Sequence, residues 1–132
     1  MDAAVIKYYR NLAKNGFKYA GSFDDASVVL KDDSGECVRV CSSVGMSVHL
    51  YLKIDGDIIS RVRYRCICSP VTHVAVEILC ELLEGKELDQ VRLINISSFY
   101  EILGSESDDL RPKAEKLLEL VRSGIEKYLA AC

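Results

Sequence analysis

The sequence predicts an α+β domain: a small three-stranded antiparallel sheet with helices packed on one face. Three observations predict it. Residues 46–66 alternate apolar and polar on both sides of an Asp-Gly turn, which marks a half-buried hairpin. The stretches at both ends of the chain carry apolar residues at three-to-four spacing, which marks amphipathic helices. The order is helix, then strands, then helices, without the strand–helix alternation that builds a parallel sheet. A chain of 132 residues is expected to form a single domain. It divides into an N-terminal helix 2–15, a sheet over about 26–66 and a helical part over about 69–130.

Asp2 to Asn15 reads as the first helix. Asp2 can cap its start, Val5, Ile6, Tyr9, Leu12 and Ala13 recur on one side, and Asn15-Gly16 is a stop signal. Val28-Val29-Leu30 is a short apolar run, followed by the turn composition Asp32-Asp33-Ser34-Gly35. Cys37 to Cys41 is a second short strand candidate. In the hairpin, Val48, Leu50, Leu52 and Ile54 alternate with Ser47, His49, Tyr51 and Lys53. After Asp55-Gly56-Asp57, Ile58, Ser60, Val62, Tyr64 and Cys66 alternate with Ile59, Arg61, Arg63 and Arg65. Setting apolar against apolar pairs Ile54 with Ile58, Leu50 with Val62, Val48 with Tyr64 and Met46 with Cys66. That register needs a three-residue loop, or a two-residue turn with a bulge.

Ser69 and Pro70 then open a helix running to about Glu84. Its buried stripe is Val71, Val74, Ala75, Ile78, Leu79, Leu82 and Leu83, and Gly85 ends it. A shorter helix covers Ser97 to Leu103. The acidic loop Ser105 to Asp109 doubles as the start signal of a last helix from about Leu110 to Leu129.

Composition narrows function. The net charge of −3 argues against a bulk nucleic-acid binder. No apolar run reaches the ~20 residues of a membrane span, and residues 1–11 do not read as a signal peptide. The expectation is therefore a cytoplasmic chain without a membrane or nucleic-acid partner. There thiols stay reduced, so the 6 cysteines read as metal ligands, reactive thiols or small core groups before disulfides. Arg61, Arg63 and Arg65, with Lys53 and Tyr51 across from them, read as the solvated hairpin face, with Arg61 stacked on Tyr51. No glycine-rich phosphate loop, Ser-His-Asp order or acid/base pair gives a hydrolase reading a start.

The chemistry lies in Arg65-Cys66-Ile67-Cys68-Ser69-Pro70. Two cysteines just before a helix N-terminus sit where partial positive charge favours thiolate, the form that ligates zinc or iron. If the sheet brings Cys41 alongside, three sulfurs converge, and Cys37 is a candidate fourth. Soft thiolate clusters select zinc, copper(I) or iron–sulfur centres. The competing reading makes Cys66 a small hydrophobe beneath Tyr64. Cys80 reads as structural, Cys132 is terminal, and His73 reads as a solvated or capping histidine.

Several segments together resemble the iron–sulfur cluster assembly scaffold family, of the IscU or NifU N-terminal type. Val5-Ile6 through Tyr9 and Asn11, then Gly21-Ser22-Phe23-Asp24, are similar to its N-terminal helix and Gly-Ser-Phe-Asp segment. Leu50 to Val62 is similar to its hairpin, Gly85-Lys86-Glu87-Leu88-Asp89 to its Gly-Lys-x-Leu-Asp, and Val121 to Tyr128 to the end of its last helix. The site departs from the family pattern. Val44-Gly45-Met46 stands where the family has Cys-Gly-Asp, Cys68 matches the second cysteine with a one-residue shift, and Pro112-Lys113 stands where the third follows a histidine. The resemblance implies a non-enzymatic scaffold that holds iron or a nascent [2Fe–2S] cluster, or zinc in its absence. It also implies a cysteine desulfurase and cluster acceptor proteins as partners. On this chain the ligands would be Cys41, Cys66 and Cys68, with Cys37 as the fourth. The other reading is a metal-free module of the same fold that docks on assembly partners through the sheet and its basic stripe.

Overall fold

A computed structural model describes residues 2–32 and 47–131. The first helix, α1, is Ala3–Asn15. Three strands follow: β1 Val28–Asp32, β2 Ser47–Asp55 and β3 Ile58–Ile67. The rest is helical: α2 Pro70–Leu83, α3 Leu88–Val91, α4 Ile96–Leu103 and α5 Leu110–Ala131. The expected class holds. The strands form one antiparallel sheet in the order β1-β2-β3. The expected strand at Cys37 to Cys41 lies outside the described residues.

One face of the sheet is apolar because even-numbered positions of β2 point inward: Val48, Leu50, Leu52 and Ile54 are all buried. From β3, Ile59, Val62 and Tyr64 join them. Helix α2 packs on this face beside β3, and α5 packs on β1 and α2. Helix α2 is buried nearly all round: besides its expected stripe, Val76, Glu77 and Cys80 are inside. Ser69 caps it by accepting from Thr72 N, with Pro70 as first helical residue, as the sequence implies.

The hairpin register differs from the expected one by two residues beyond the bulge and by one residue beside the turn. Val48 pairs with Cys66, Leu50 with Tyr64 and Leu52 with Val62; Ile54 pairs with Ile59. The turn is a two-residue one, Gly56-Asp57 between the paired Asp55 and Ile58, with Gly56 at φ 64°. Ser60 is the extra residue of a bulge, and its hydroxyl donates to the Lys53 carbonyl and the Asp55 carboxylate. The bulge restores apolar-against-apolar pairing after the tight turn. Beyond the bulge a shift of two preserves faces, so alternation alone does not separate the registers there; on the turn side the bulge reverses the expected faces, so Ile59 is buried and Ile58 is exposed.

The outer edge of β3 is covered piece by piece, which blunts an otherwise open edge. Tyr64 N donates to Tyr19 O at 2.9 Å, and Gly21 N to Tyr64 O at 2.8 Å. Val62 N donates to Glu84 Oε2 at 3.1 Å. Ile59 N donates to Lys86 O at 2.9 Å, and Gly85 N to Ile59 O at 2.7 Å. The Gly85 to Asp89 segment thus seals the turn end of the hairpin and opens the short helix α3, an element absent from the sequence expectation. Asp2 does not cap α1 through its side chain. Its carboxylate instead accepts from Ser107, and its N–H donates to Asp109, tying α1 to the start of α5. Ser107 also accepts from Leu110 N at 3.1 Å, so the expected start signal does cap α5.

Candidate functional site

The site is built at the end of the hairpin where β3 hands over to α2. Cys66 and Cys68 are both half-buried there, and Cys66 packs against the core below Tyr64. In a strand, residues two apart share a face and sit about 6.6 Å apart along the chain. Strand β3 ends at Ile67, the chain bends, and the Cys66 and Cys68 Cα atoms come within 5.5 Å. Their sulfurs meet in a disulfide. The sequence reading ranks a disulfide behind metal-ligand, thiol and core roles; strand periodicity, cut short by the turn into α2, brings this pair together. Cys80 is free and fully buried, as its helix position implies, and burial pushes its thiol pKa well up.

Cys37 and Cys41 lie outside the described residues. The anchors of the segment that carries them are described. Asp32 pairs with Val48, Val48 with Cys66, and Ser47 with Ile67. The chain therefore leaves and rejoins the sheet at the same end that holds Cys66 and Cys68. Among the described residues, no group of three or more His, Cys, Asp and Glu side chains is placed to hold a metal ion.

An open cavity of about 500 Å³ lies beside Cys66, walled by Gly21, His49, Tyr64, Arg65 and His73 among others. His49 enters it because β2 pairs it with Arg65; the expected register sets it against Arg63, so sequence reasoning passed it over. His73, expected as a solvated or capping histidine, is half-buried among aromatic rings. Its ring stacks on Phe17 at 4.2 Å between centroids and meets Tyr64 edge-on at 5.6 Å. Burial lowers its pKa, so it stays neutral at neutral pH. A larger groove of about 610 Å³ lies between the start of α4 and α5, lined in part by Glu115, Glu119 and Glu126, and contains no cysteine. The sulfur chemistry favours the smaller cavity.

No protein-family model matches this sequence, and no curated protein matches it. Solved structures do. A nitrogen-fixing NifU-like protein (N-terminal) from Brucella abortus aligns over 99% of this chain and 95% of its own, with TM-score 0.69 and 10% identity. The chain has the NifU N-terminal fold. A protein assigned as an iron–sulfur cluster assembly scaffold for the SUF system of the thermophile Fervidobacterium islandicum AW-1 aligns over 97% of this chain and 85% of its own. Its TM-score is 0.51 at 20% identity. At these identities the likeness establishes the NifU-like fold itself. It covers nearly the whole chain, helices as well as hairpin.

The sheet face away from the helices is basic on an acidic molecule. Lys31, Arg61 and Arg65 are exposed on it. Arg61 lies over Phe23 at 5.0 Å, not over Tyr51 as expected, because Phe23 from the β1 approach reaches that face first and itself packs on Tyr51. Arg63 turns to the sheet edge and pairs with Glu84 at 3.2 Å.

Proposed function

We propose that this NifU-fold chain acts as one unit, an iron–sulfur cluster assembly scaffold that holds iron or a nascent [2Fe–2S] cluster as cargo, or zinc in its absence. The ligands in this proposal are Cys66, Cys68 and Cys41, with Cys37 as the fourth. One observation carries it: the Cys66 and Cys68 sulfurs converge at the sheet end where β1 stops at Asp32 and β2 starts at Ser47. A [2Fe–2S] cargo takes four protein ligands, mostly thiolate. The described residues supply two, and Cys41 and Cys37 are proposed as the others. The N-terminus of α2, which starts at Pro70 just after the pair, favours thiolate. The protein's part is then to bind and release, not to catalyse. Its sulfur source would be a cysteine desulfurase and its recipients cluster acceptor proteins, in the cytoplasm.

The test is iron and acid-labile sulfide per chain, on protein purified without oxygen and challenged with iron and sulfide. Near-stoichiometric iron and sulfide, lost in Cys66→Ser and Cys68→Ser, is the expected result. No bound metal under any condition favours the second reading, a docking module. The exposed basic sheet face, with Val29 and Ile67 beside it, supports that one.

A further inference from the structure

We propose that Cys66 and Cys68 form a reversible thiol–disulfide couple, open to small thiols and disulfides, that gates the sulfur site. The gating half rests on the cargo reading above; the couple itself does not. Three observations lead to it. The Cα separation of 5.5 Å lies inside the range that a disulfide spans without moving backbone. It also suits two ligands of one ion, whose sulfurs in a tetrahedral zinc site stand about 3.8 Å apart. Side-chain rotation alone converts one arrangement to the other. Access is the second observation. Both cysteines are half-buried, Ile67 between them is 57% exposed, and the cavity of about 500 Å³ opens onto Cys66. Cys80, fully buried, has no such route. Third, Arg65 on the cavity wall presents a cation to an incoming group, which suits a small anionic thiol or disulfide.

The exchange balances with such a disulfide as oxidant. The Cys66 thiolate attacks one of its sulfurs, forms a mixed disulfide and releases one thiol. The Cys68 thiolate then attacks the Cys66 sulfur, closes the Cys66–Cys68 bond and releases the second thiol. The protein loses two electrons and two protons, and the small disulfide becomes two thiols. Reduction runs the same steps backward. A sulfur committed to the S–S bond is not a thiolate donor, so oxidation and metal exclude one another.

The full chain should be equilibrated without oxygen in glutathione buffers of graded thiol-to-disulfide ratio. It is then acid-quenched, alkylated and mapped by mass spectrometry. The expected product is an intramolecular Cys66–Cys68 disulfide, two hydrogens lighter, that reverts on reduction. Cys66→Ser and Cys68→Ser should stop at a mixed disulfide with glutathione. Free alkylation of both cysteines at every ratio, or pairing of either with Cys37 or Cys41 instead, overturns the couple. Zinc is then added to each form. At least a tenfold loss of bound zinc in the oxidised form supports the gate, and equal zinc on both forms overturns it. No zinc or iron on the reduced form overturns the cargo reading, and the gate with it, while the alkylation result still decides the couple.

Discussion

Glu77 is a carboxyl group inside the core, 3% exposed on α2, with Tyr19 N–H at 3.4 Å from its Oε2. Burial raises its pKa above the ordinary 4.5; the Tyr19 N–H works against this, and Glu81 adds a smaller raise. A raised folded-state pKa means that the native chain holds this proton more tightly than the unfolded chain. Its contribution to stability is therefore full below about pH 4.5 and is lost as pH rises through the folded value. Glu77→Gln keeps an acceptor for Tyr19 and cannot ionise. Its stability relative to the parent should rise with pH and then level off, by about 1.4 kcal/mol for each unit by which Glu77 is raised. Urea midpoints of both proteins between about pH 4 and about pH 8 check this. A constant difference would mean that Glu77 titrates as an ordinary surface carboxyl. No local pattern flags the residue, because a glutamate in mid-helix reads as solvated. Only the burial of α2 on nearly every side puts it inside. Cys80, one turn further on, was legible because it neighbours the apolar stripe.

At the scale of elements, Gly124 shows how closely α5 lies against β1. A Cβ built there would overlap the Leu30 δ-methyl. Leu30 is itself buried and cannot swing out without exposing apolar surface. Gly124→Val should therefore destabilise by about 1–3 kcal/mol, since overpacking outweighs the helix propensity gained. Chemical denaturation measures it; an unchanged or higher midpoint would mean that α5 lifts from β1 at little cost. Most elements were legible: α1, β1, the hairpin, α2 and α5 follow from period and from Ser69, Gly85 and Ser107 as start and stop signals. Helix α3 was not. Its four residues show no period, and it forms because Glu87 and Gln90 cap one another while Leu88 N donates to Asp57 O in the hairpin turn. The register was half legible. Alternation marked Leu50 and Tyr64 as inward-facing, but the bulge at Ser60 decided that they pair.

For the whole molecule, charge is unevenly placed. The net charge is −3, yet the free sheet face carries Lys31, Arg61 and Arg65 exposed. Exposed charges of this kind add little to folding. Arg65→Glu should change unfolding free energy by no more than about 0.5 kcal/mol. Arg61→Glu also loses the contact over Phe23 and should cost up to about 1 kcal/mol. Thermal and urea unfolding check both, and a loss several times larger would make this face a folding determinant rather than a free surface. Among the described residues no helix is long and apolar enough to cross a membrane. The sequence by itself determined the α+β class, the helix starts and stops marked by Ser69, Gly85 and Ser107, the inward face of β2 and of β3 from Val62 onward, and the junction at which Cys66 and Cys68 stand. These are local properties, written in the spacing of side chains along the chain. Only the tertiary structure decided the register, the burial of Glu77, the place of His49 and His73 at the cavity, and the meeting of the Cys66 and Cys68 sulfurs. Each depends on where one element stops against another: β3 ends at Ile67, the chain turns into α2, and two side chains spaced for one strand face arrive at one point.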